Sequence, residues 1–143
     1  MILFIIINII VILTLSVVAY QTQRKKHPKK TYKDFIVGKK LSPKKLLIGL
    51  SFGIIFGFLD NVGLIIGMEK LTKKLNLDEI GQSAIGNTYS DFIGATVGTF
   101  ISLILKHTFD VEEDPDEPFW LDTMGIVIGC LLGYYIPKMF MKK

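Results

Sequence analysis

Long apolar runs with few charged residues alternate with short clusters of charge along the chain. The apolar runs cover residues 2–20, 46–68, 82–105 and 123–140, and polar side chains are sparse within them. A helix of about 20 apolar residues is long enough to cross the hydrocarbon core of a bilayer. The pattern therefore predicts an all-α membrane protein with about four transmembrane helices.

Small residues recur at every fourth position within the last three apolar runs. Positions four apart lie on one face of a helix, and small side chains there let two helix backbones approach closely. We therefore expect the last three helices to pack through these faces. The predicted packing glycines are Gly49, Gly53, Gly57, Gly94, Gly98, Gly125, Gly129 and Gly133, and Gly86, Ser90 and Ser102 extend the series in the third run.

The chain divides near residue 45 into two parts of different composition. Residues 1–45 combine the first apolar run with a lysine-rich linker, and we interpret that run as an uncleaved membrane anchor. Residues 46–143 are predicted to form a three-helix membrane domain with an acidic loop at 106–122. Ser42 and Pro43 offer an N-cap and a first helical residue for the second run.

The 17 lysine and arginine residues are distributed unevenly between the connecting segments. Ten lie in residues 21–45 and one, Lys106, follows the third run, whereas six lie on the opposite side of the predicted spans. The positive-inside rule then places both termini outside and both long loops inside. We expect the linker lysines to bind anionic lipid heads and the acidic loop to dock on the linker. Nucleic acid is not an expected partner, because little aromatic interleaving accompanies the charge.

Two aspartates, Asp60 and Asp91, lie inside the second and third runs. Each is a few residues from the centre of its run, roughly 3–5 Å from the midplane. Consecutive spans run in opposite directions, so both carboxylates are expected on the same side of the midplane and at the same depth. An Asp-x-x-Gly pattern recurs at Asp60, Asp91 and Asp122 with a spacing of 31 residues.

A charge in mid-membrane costs about 2.5–3.5 kcal/mol on the insertion scale, so something must offset the cost of these two acids. We predict a cation-binding site formed by Asp60, Asn61, Asn87, Ser90 and Asp91, with the two aspartates as metal ligands. Oxygen ligands of this kind suit hard cations such as calcium or sodium. The alternative is that the same groups only form interhelical hydrogen bonds that fix the packing.

Catalytic motifs are missing from the sequence, so we do not expect an enzyme or a covalently bound cofactor. Cys130 is the only cysteine, which excludes a disulfide framework and a CxxC metal motif. The two histidines, His27 and His107, flank the apolar runs, and neither HExxH nor GxSxG occurs. The acidic loop begins like a calcium-binding EF-hand but has Pro115 where that motif requires glycine.

Three short motifs follow one another in the last three runs. They are Gly57-Phe58-Leu59-Asp60-Asn61, Gly86-Asn87-Thr88-Tyr89-Ser90-Asp91 and Gly125-Ile126-Val127-Ile128-Gly129-Cys130-Leu131-Leu132-Gly133. In this order they resemble the three membrane segments of the transmembrane protein 65 family, over residues 46–137. The resemblance implies a mitochondrial inner-membrane protein that acts in sodium-dependent calcium efflux, as exchanger or as regulator. It also implies that Asp60, Asn61, Asn87, Ser90 and Asp91 are the residues that matter.

The chain departs from that family before residue 46. Members similar to it carry a targeting presequence where this chain has a hydrophobic run, and the lysine-rich linker and acidic loop are its own. A viral or host membrane is therefore the alternative location.

We expect a multi-pass membrane protein that mediates or regulates calcium or sodium transport through an intramembrane carboxylate site. The alternative is a non-transporting membrane interaction or scaffold protein. Four short helices can barely enclose a path, so we also expect a homo-oligomer, with a dimer favoured.

Overall fold

A computed structural model describes residues 1–38, 41–70, 77–111, 118 and 120–141, with side chains for all of these but 66–70 and 141. Four helices among these residues are long and apolar enough to cross a membrane, which confirms the predicted all-α membrane protein. No strand occurs within the described ranges. The helices are α1 (Ile2–Lys26), α2 (Tyr32–Val37), α3 (Pro43–Lys70), α4 (Glu79–Thr108) and α5 (Trp120–Met141).

Helix α1 is apolar on every side, and none of its residues is buried. Its best window has a mean hydropathy of 3.1, the highest of the four long helices. The side chains of Asn8 and Thr14 bond to backbone carbonyls one turn earlier, at 2.7 and 2.8 Å. A helix that is hydrophobic all round, with Asn8 and Thr14 bonded to its own backbone, suits contact with lipid.

The lysine-rich linker contains a short helix, α2, that the sequence interpretation missed. Thr31 and Asp34 form a capping box in which each side chain accepts from the other's backbone N–H, both at 3.1 Å. The ring of Tyr20 in α1 lies 5.1 Å from that of Tyr32 and 5.8 Å from that of Phe35, centroid to centroid. Burial of Phe35 in this aromatic cluster holds α2 against α1.

The long helices extend beyond the apolar runs from which they were predicted. Helix α3 begins at Pro43, and the Ser42 hydroxyl accepts from the backbone N–H of Lys45 at 3.3 Å, as expected of an N-cap. Helix α4 begins after Asp78, whose side chain accepts from the N–H of Gly81 at 2.9 Å. Helix α5 continues through Pro137, near which its apolar run ends. Helix ends follow caps and backbone hydrogen bonds, whereas hydropathy reports only the part that suits lipid.

Helix α3 lies between α4 and α5 and packs against both. Its contact with α5 is parallel, because Leu50 lies beside Gly125 and Phe58 beside Gly133. A Cβ atom on either of these glycines would lie 2.5 Å from the backbone oxygen opposite, so only glycine allows this approach. The other close glycine contacts across this interface are Gly53 with Asp122, Gly57 with Ile126 and Gly129 with Ile54.

The contact of α3 with α4 is antiparallel and also passes through small residues. A Cβ on Gly94 would lie 2.9 Å from the backbone oxygen of Phe56, and one on Gly98 would lie 3.2 Å from that of Phe52. The opposite directions of α3 and α4 agree with two consecutive membrane crossings. The buried residues of α4 are the predicted series of small residues, Gly86, Ser90, Gly94, Gly98 and Ser102.

The predicted docking of the acidic loop on the linker involves residues 112–117, which lie outside the described residues. The two flanking segments do meet, because Lys44 Nζ at the start of α3 lies 5.1 Å from the ring centroid of Phe109 just after α4. Docking of the loop itself stays a prediction.

Candidate functional site

The antiparallel contact of α3 and α4 brings Asp60 and Asp91 together. A Cβ built on Gly94 would lie 3.5 Å from the backbone nitrogen of Asp60, so the two backbones run side by side at this level. Ser90, the residue before Asp91, bonds to the carboxylate of Asp60, so the two carboxyl groups lie near each other. The two acids that the sequence placed at one depth therefore face each other, and we call them the carboxylate pair.

Ser90 links the two helices directly at the carboxylate pair. Its side chain is fully buried, and its hydroxyl donates to Asp60 Oδ1 at 2.6 Å. The same oxygen lies 3.0 Å from the backbone carbonyl of Asn87, the alternative acceptor for its single proton. A Cβ on Gly63 would lie 2.9 Å from Ser90 Cβ, so glycine at this position of α3 lets the serine come close enough to bond.

Asn87 supplies the second neutral partner of the carboxylate pair. It lies one turn before Asp91 on α4, and its side-chain Nδ2 donates to Asp91 Oδ2 at 2.8 Å. Asp60 thus accepts from Ser90, and Asp91 accepts from Asn87. Hydrogen bonds from neutral donors strengthen when the acceptor is ionised, so this arrangement stabilises negative charge on both acids.

The carboxylate pair has two chemically reasonable states. Two like charges that lie near each other repel, and either a bound cation or a proton would relieve that repulsion. Both side chains are half-buried, Asn87 is exposed and Ser90 is buried, so the open side of the pair lies towards Asn87. A ligand would therefore approach along α4 and not through the α3–α4 contact.

The donor set fits an oxygen-seeking cation. Among the described residues, no group of three or more His, Cys, Asp and Glu side chains is placed to hold a metal ion. Calcium takes about 6–8 oxygen ligands. Asp60, Asp91, Asn87 and Ser90 would then supply part of the shell of a hydrated ion, with water supplying the rest.

The structure does not bring Asn61 to the carboxylate pair. Its Nδ2 donates to the backbone oxygen of Cys130 on α5 at 2.7 Å. Consecutive helical residues point about 100° apart, so Asp60 faces α4 while Asn61 faces α5. Thr88, the neighbour of Asn87 in sequence, also bonds away from the pair, because its hydroxyl donates to the backbone oxygen of Ala84 at 2.8 Å.

A second polar feature, a cavity of about 230 Å³, lies at the other end of the α3–α4 contact. The stacked rings of Phe52 and Phe56, with centroids 6.0 Å apart, lie between it and the carboxylate pair. Asp122, the third aspartate of the recurring Asp-x-x-Gly pattern, therefore lies away from the pair. The cavity is lined by Gly49, Phe52, Thr99, Ser102, Leu103, Lys106 and Asp122.

Gly63 is the site residue that sequence reasoning passed over. It belongs to the Asp-x-x-Gly pattern that starts at Asp60, and its contact with Ser90 shows the use of that spacing. One turn after Asp60 on the same face, a glycine lets α4 approach the carboxylate. The pattern was therefore a usable signal for the approach of α4 to α3.

No family model, curated protein or solved structure matches this chain. The resemblance to the transmembrane protein 65 family depends on the three sequence motifs and stays a prediction. Fold and site geometry are therefore the basis for a functional proposal.

Proposed function

We propose that this protein mediates or regulates the transport of cations, calcium or sodium, through the carboxylate pair. The observation that carries the proposal is that Asp60 and Asp91, from two separate membrane-spanning helices, come together where Ser90 donates to Asp60 at 2.6 Å. A divalent cation balances two carboxylates fully, whereas a monovalent cation leaves one negative charge on the site.

The energetic balance favours a cation over simple packing. Each charge in mid-membrane costs about 2.5–3.5 kcal/mol on the insertion scale. An interhelical hydrogen bond returns only about 0.6 kcal/mol on average, and up to about 2 in model peptides. Ser90 and Asn87 therefore cannot offset two ionised aspartates, but a bound cation can.

A non-transporting interaction or scaffold protein is the second candidate. The observation that favours it is that Ser90 and Asn87 already donate to the carboxylate pair. With one proton shared between the acids, the cluster carries a single charge and links α3 to α4 without any cation. The carboxylate pair would then serve only to align the helices.

The surroundings of the site form part of the same proposal. We propose a homo-oligomer, with a dimer favoured, embedded in the bilayer, with anionic lipid heads at the lysine-rich linker. The membrane is the mitochondrial inner membrane by the family resemblance, or a viral or host membrane in view of the hydrophobic α1. The integral multi-pass character itself follows from the four apolar helices among the described residues.

Reconstitution in liposomes tests the proposal. Calcium flux is measured with an internal dye, with and without a sodium gradient, for the wild type, Asp60→Asn and Asp91→Asn. Asp122→Asn is the matched control, because it removes an acid of the same Asp-x-x-Gly pattern that lies away from the carboxylate pair. Direct calcium binding is measured in parallel by calorimetry in detergent.

We expect each variant of the carboxylate pair to weaken calcium binding at least about tenfold, equivalent to 1.4 kcal/mol, and to abolish flux. The control variant, Asp122→Asn, should keep wild-type calcium binding and flux. Correct assembly is checked by size-exclusion chromatography. A correctly assembled wild type with calcium binding but no flux supports a regulator, and one with neither supports the scaffold.

A further inference from the structure

Polar side chains form a continuous column on α4 that leads away from the carboxylate pair. Glu79, Ser83, Asn87 and Asp91 are spaced four residues apart, and residues at this spacing lie on one helix face. An open groove of about 500 Å³ runs along the first part of this column. Its lining residues are Glu79, Ile80, Ser83, Ala84 and Asn87.

The column runs from the N-terminal end of α4 to the carboxylate pair. At the helical rise, Ser83 lies about 6 Å, Asn87 about 12 Å and Asp91 about 18 Å from Glu79 along the helix axis. The groove reaches Asn87, and Asn87 donates to Asp91 at 2.8 Å. Polar groups are therefore continuous from the first turn of α4 to the site.

The exposure of this column conflicts with contact to lipid. Ser83 and Asn87 are exposed in the structure and lie within the apolar run at 82–105, whereas Glu79 is exposed just before that run. Polar side chains at membrane depth face protein or a water-filled cavity, because hydrocarbon offers them no partner. The column is therefore suited to line water, and Glu79 at its outer end would attract cations towards it.

The opposite direction from the carboxylate pair is closed. Phe56 and Phe52 stack over the next two turns of α3, and their backbones pack against Gly94 and Gly98 of α4. Ala95 takes the next place in the column after Asp91. The structure thus shows a polar route on one side of the carboxylate pair and, on the other, an apolar contact that separates the pair from the cavity beside Asp122.

We propose that Glu79, Ser83 and Asn87 line a water-filled access path by which hydrated cations reach the carboxylate pair from one side only. That side is the one where α3 ends and α4 begins. The identity of the cation rests on the proposed function, but the path itself is a separate property of α4.

Cysteine accessibility tests the path without any measurement of transport. Cys130 is the only cysteine, so Cys130→Ala provides a background into which Ser83→Cys, Ile85→Cys and Asn87→Cys are introduced singly. Ile85 is the matched control, because it lies between the other two in depth and is exposed but off the polar column. The probe is a charged, membrane-impermeant methanethiosulfonate, applied to proteoliposomes with a C-terminal tag that reports orientation.

The path predicts an order of reactivity that depth alone does not. Thiols react as thiolates, which require water, so Ser83→Cys and Asn87→Cys should react at least about tenfold faster than Ile85→Cys. Both should react from the side that carries the C-terminal tag and not from the other side. A labelling rate that falls steadily from position 83 to 85 to 87 would show ordinary depth dependence and overturn the path.

Two further results distinguish the path from the proposed function. Labelling of positions 83 and 87 only by a membrane-permeant maleimide would show that the column faces lipid, and the path would be wrong even if calcium flux were intact. The expected labelling pattern in a protein without calcium binding or flux would leave the path standing and overturn the proposed transport.

Discussion

Substitution of Gly125 by alanine tests how closely α3 and α5 are packed. The added Cβ would lie 2.5 Å from the backbone oxygen of Leu50, 3.0 Å from Gly53 Cα and 3.1 Å from the backbone nitrogen of Ile54. These are all backbone atoms, so no side chain can move aside to make room. Ordinary contact begins at 3.4 Å, so the helices must separate from 2.5 to 3.4 Å at this point, or by about 0.9 Å.

The cost of this separation exceeds the gain from alanine. Overpacking of a filled contact costs about 1–3 kcal/mol, and a gap of 0.5–1 Å loses a quarter to a half of the dispersion energy along it. Alanine in a helix gains about 0.5–1 kcal/mol over glycine. We therefore expect Gly125→Ala to lower the free energy of unfolding by about 1–2 kcal/mol.

Gly98→Ala is the matched control, with the same chemical change on the other side of α3. Its Cβ would lie 3.2 Å from the backbone oxygen of Phe52, so a displacement of about 0.2 Å is sufficient to restore 3.4 Å. The higher helix propensity of alanine then offsets the packing cost, and Gly98→Ala should be as stable as the wild type.

Unfolding in mixed micelles, followed by circular dichroism during a titration with sodium dodecyl sulfate, measures both variants. The propensity gain is the same for the two, so the difference between them reports packing. Equal stabilities for Gly125→Ala and Gly98→Ala would refute the close backbone contact between α3 and α5.

Three further substitutions have expected outcomes. Ser90→Ala leaves Asp60 without its buried donor and should cost about 0.6 kcal/mol, and up to about 2 kcal/mol, in the same titration; an unchanged midpoint would contradict the bond. Asn61→Leu removes the bond to Cys130 and should cost about 0.6 kcal/mol while calcium binding stays at the wild-type level, so weakened binding would show that Asn61 acts at the site after all. Thr31→Ala removes the capping box and should speed amide hydrogen exchange in α2 by roughly 5–30-fold, equivalent to about 1–2 kcal/mol; unchanged exchange would exclude the cap as a source of its stability.

The prediction that Asp60 and Asp91 lie level with each other needs only the centres of the apolar runs and the opposite directions of consecutive spans. Asp60 and Asp91 fall on the same side of the midplane whatever the neighbouring helices are. The spacing of small residues also identified Ser90 as part of the buried face of α4, which the structure confirms.

The direction in which Asn61 points could not be predicted in the same way. A residue that follows Asp60 faces a different neighbour, and which neighbour depends on the arrangement of α4 and α5 around α3. Hydropathy and spacing carry no information on that arrangement. The short helix α2 was missed for a different reason, because the lysines around Thr31 and Asp34 concealed a local capping signal.

Asp60 and Asn61 are adjacent in sequence but bond to opposite neighbours of α3, at 2.6 and 2.7 Å. Any rotation of α3 about its own axis moves both side chains at once and strains both bonds. None of the described hydrogen bonds joins a side chain of α5 to the carboxylate pair, yet the bond from Asn61 to α5 helps to set the rotational position of α3. A ligand or a mutation that shifts α5 would therefore change the distance between the carboxyl groups of Asp60 and Asp91 without contacting either of them.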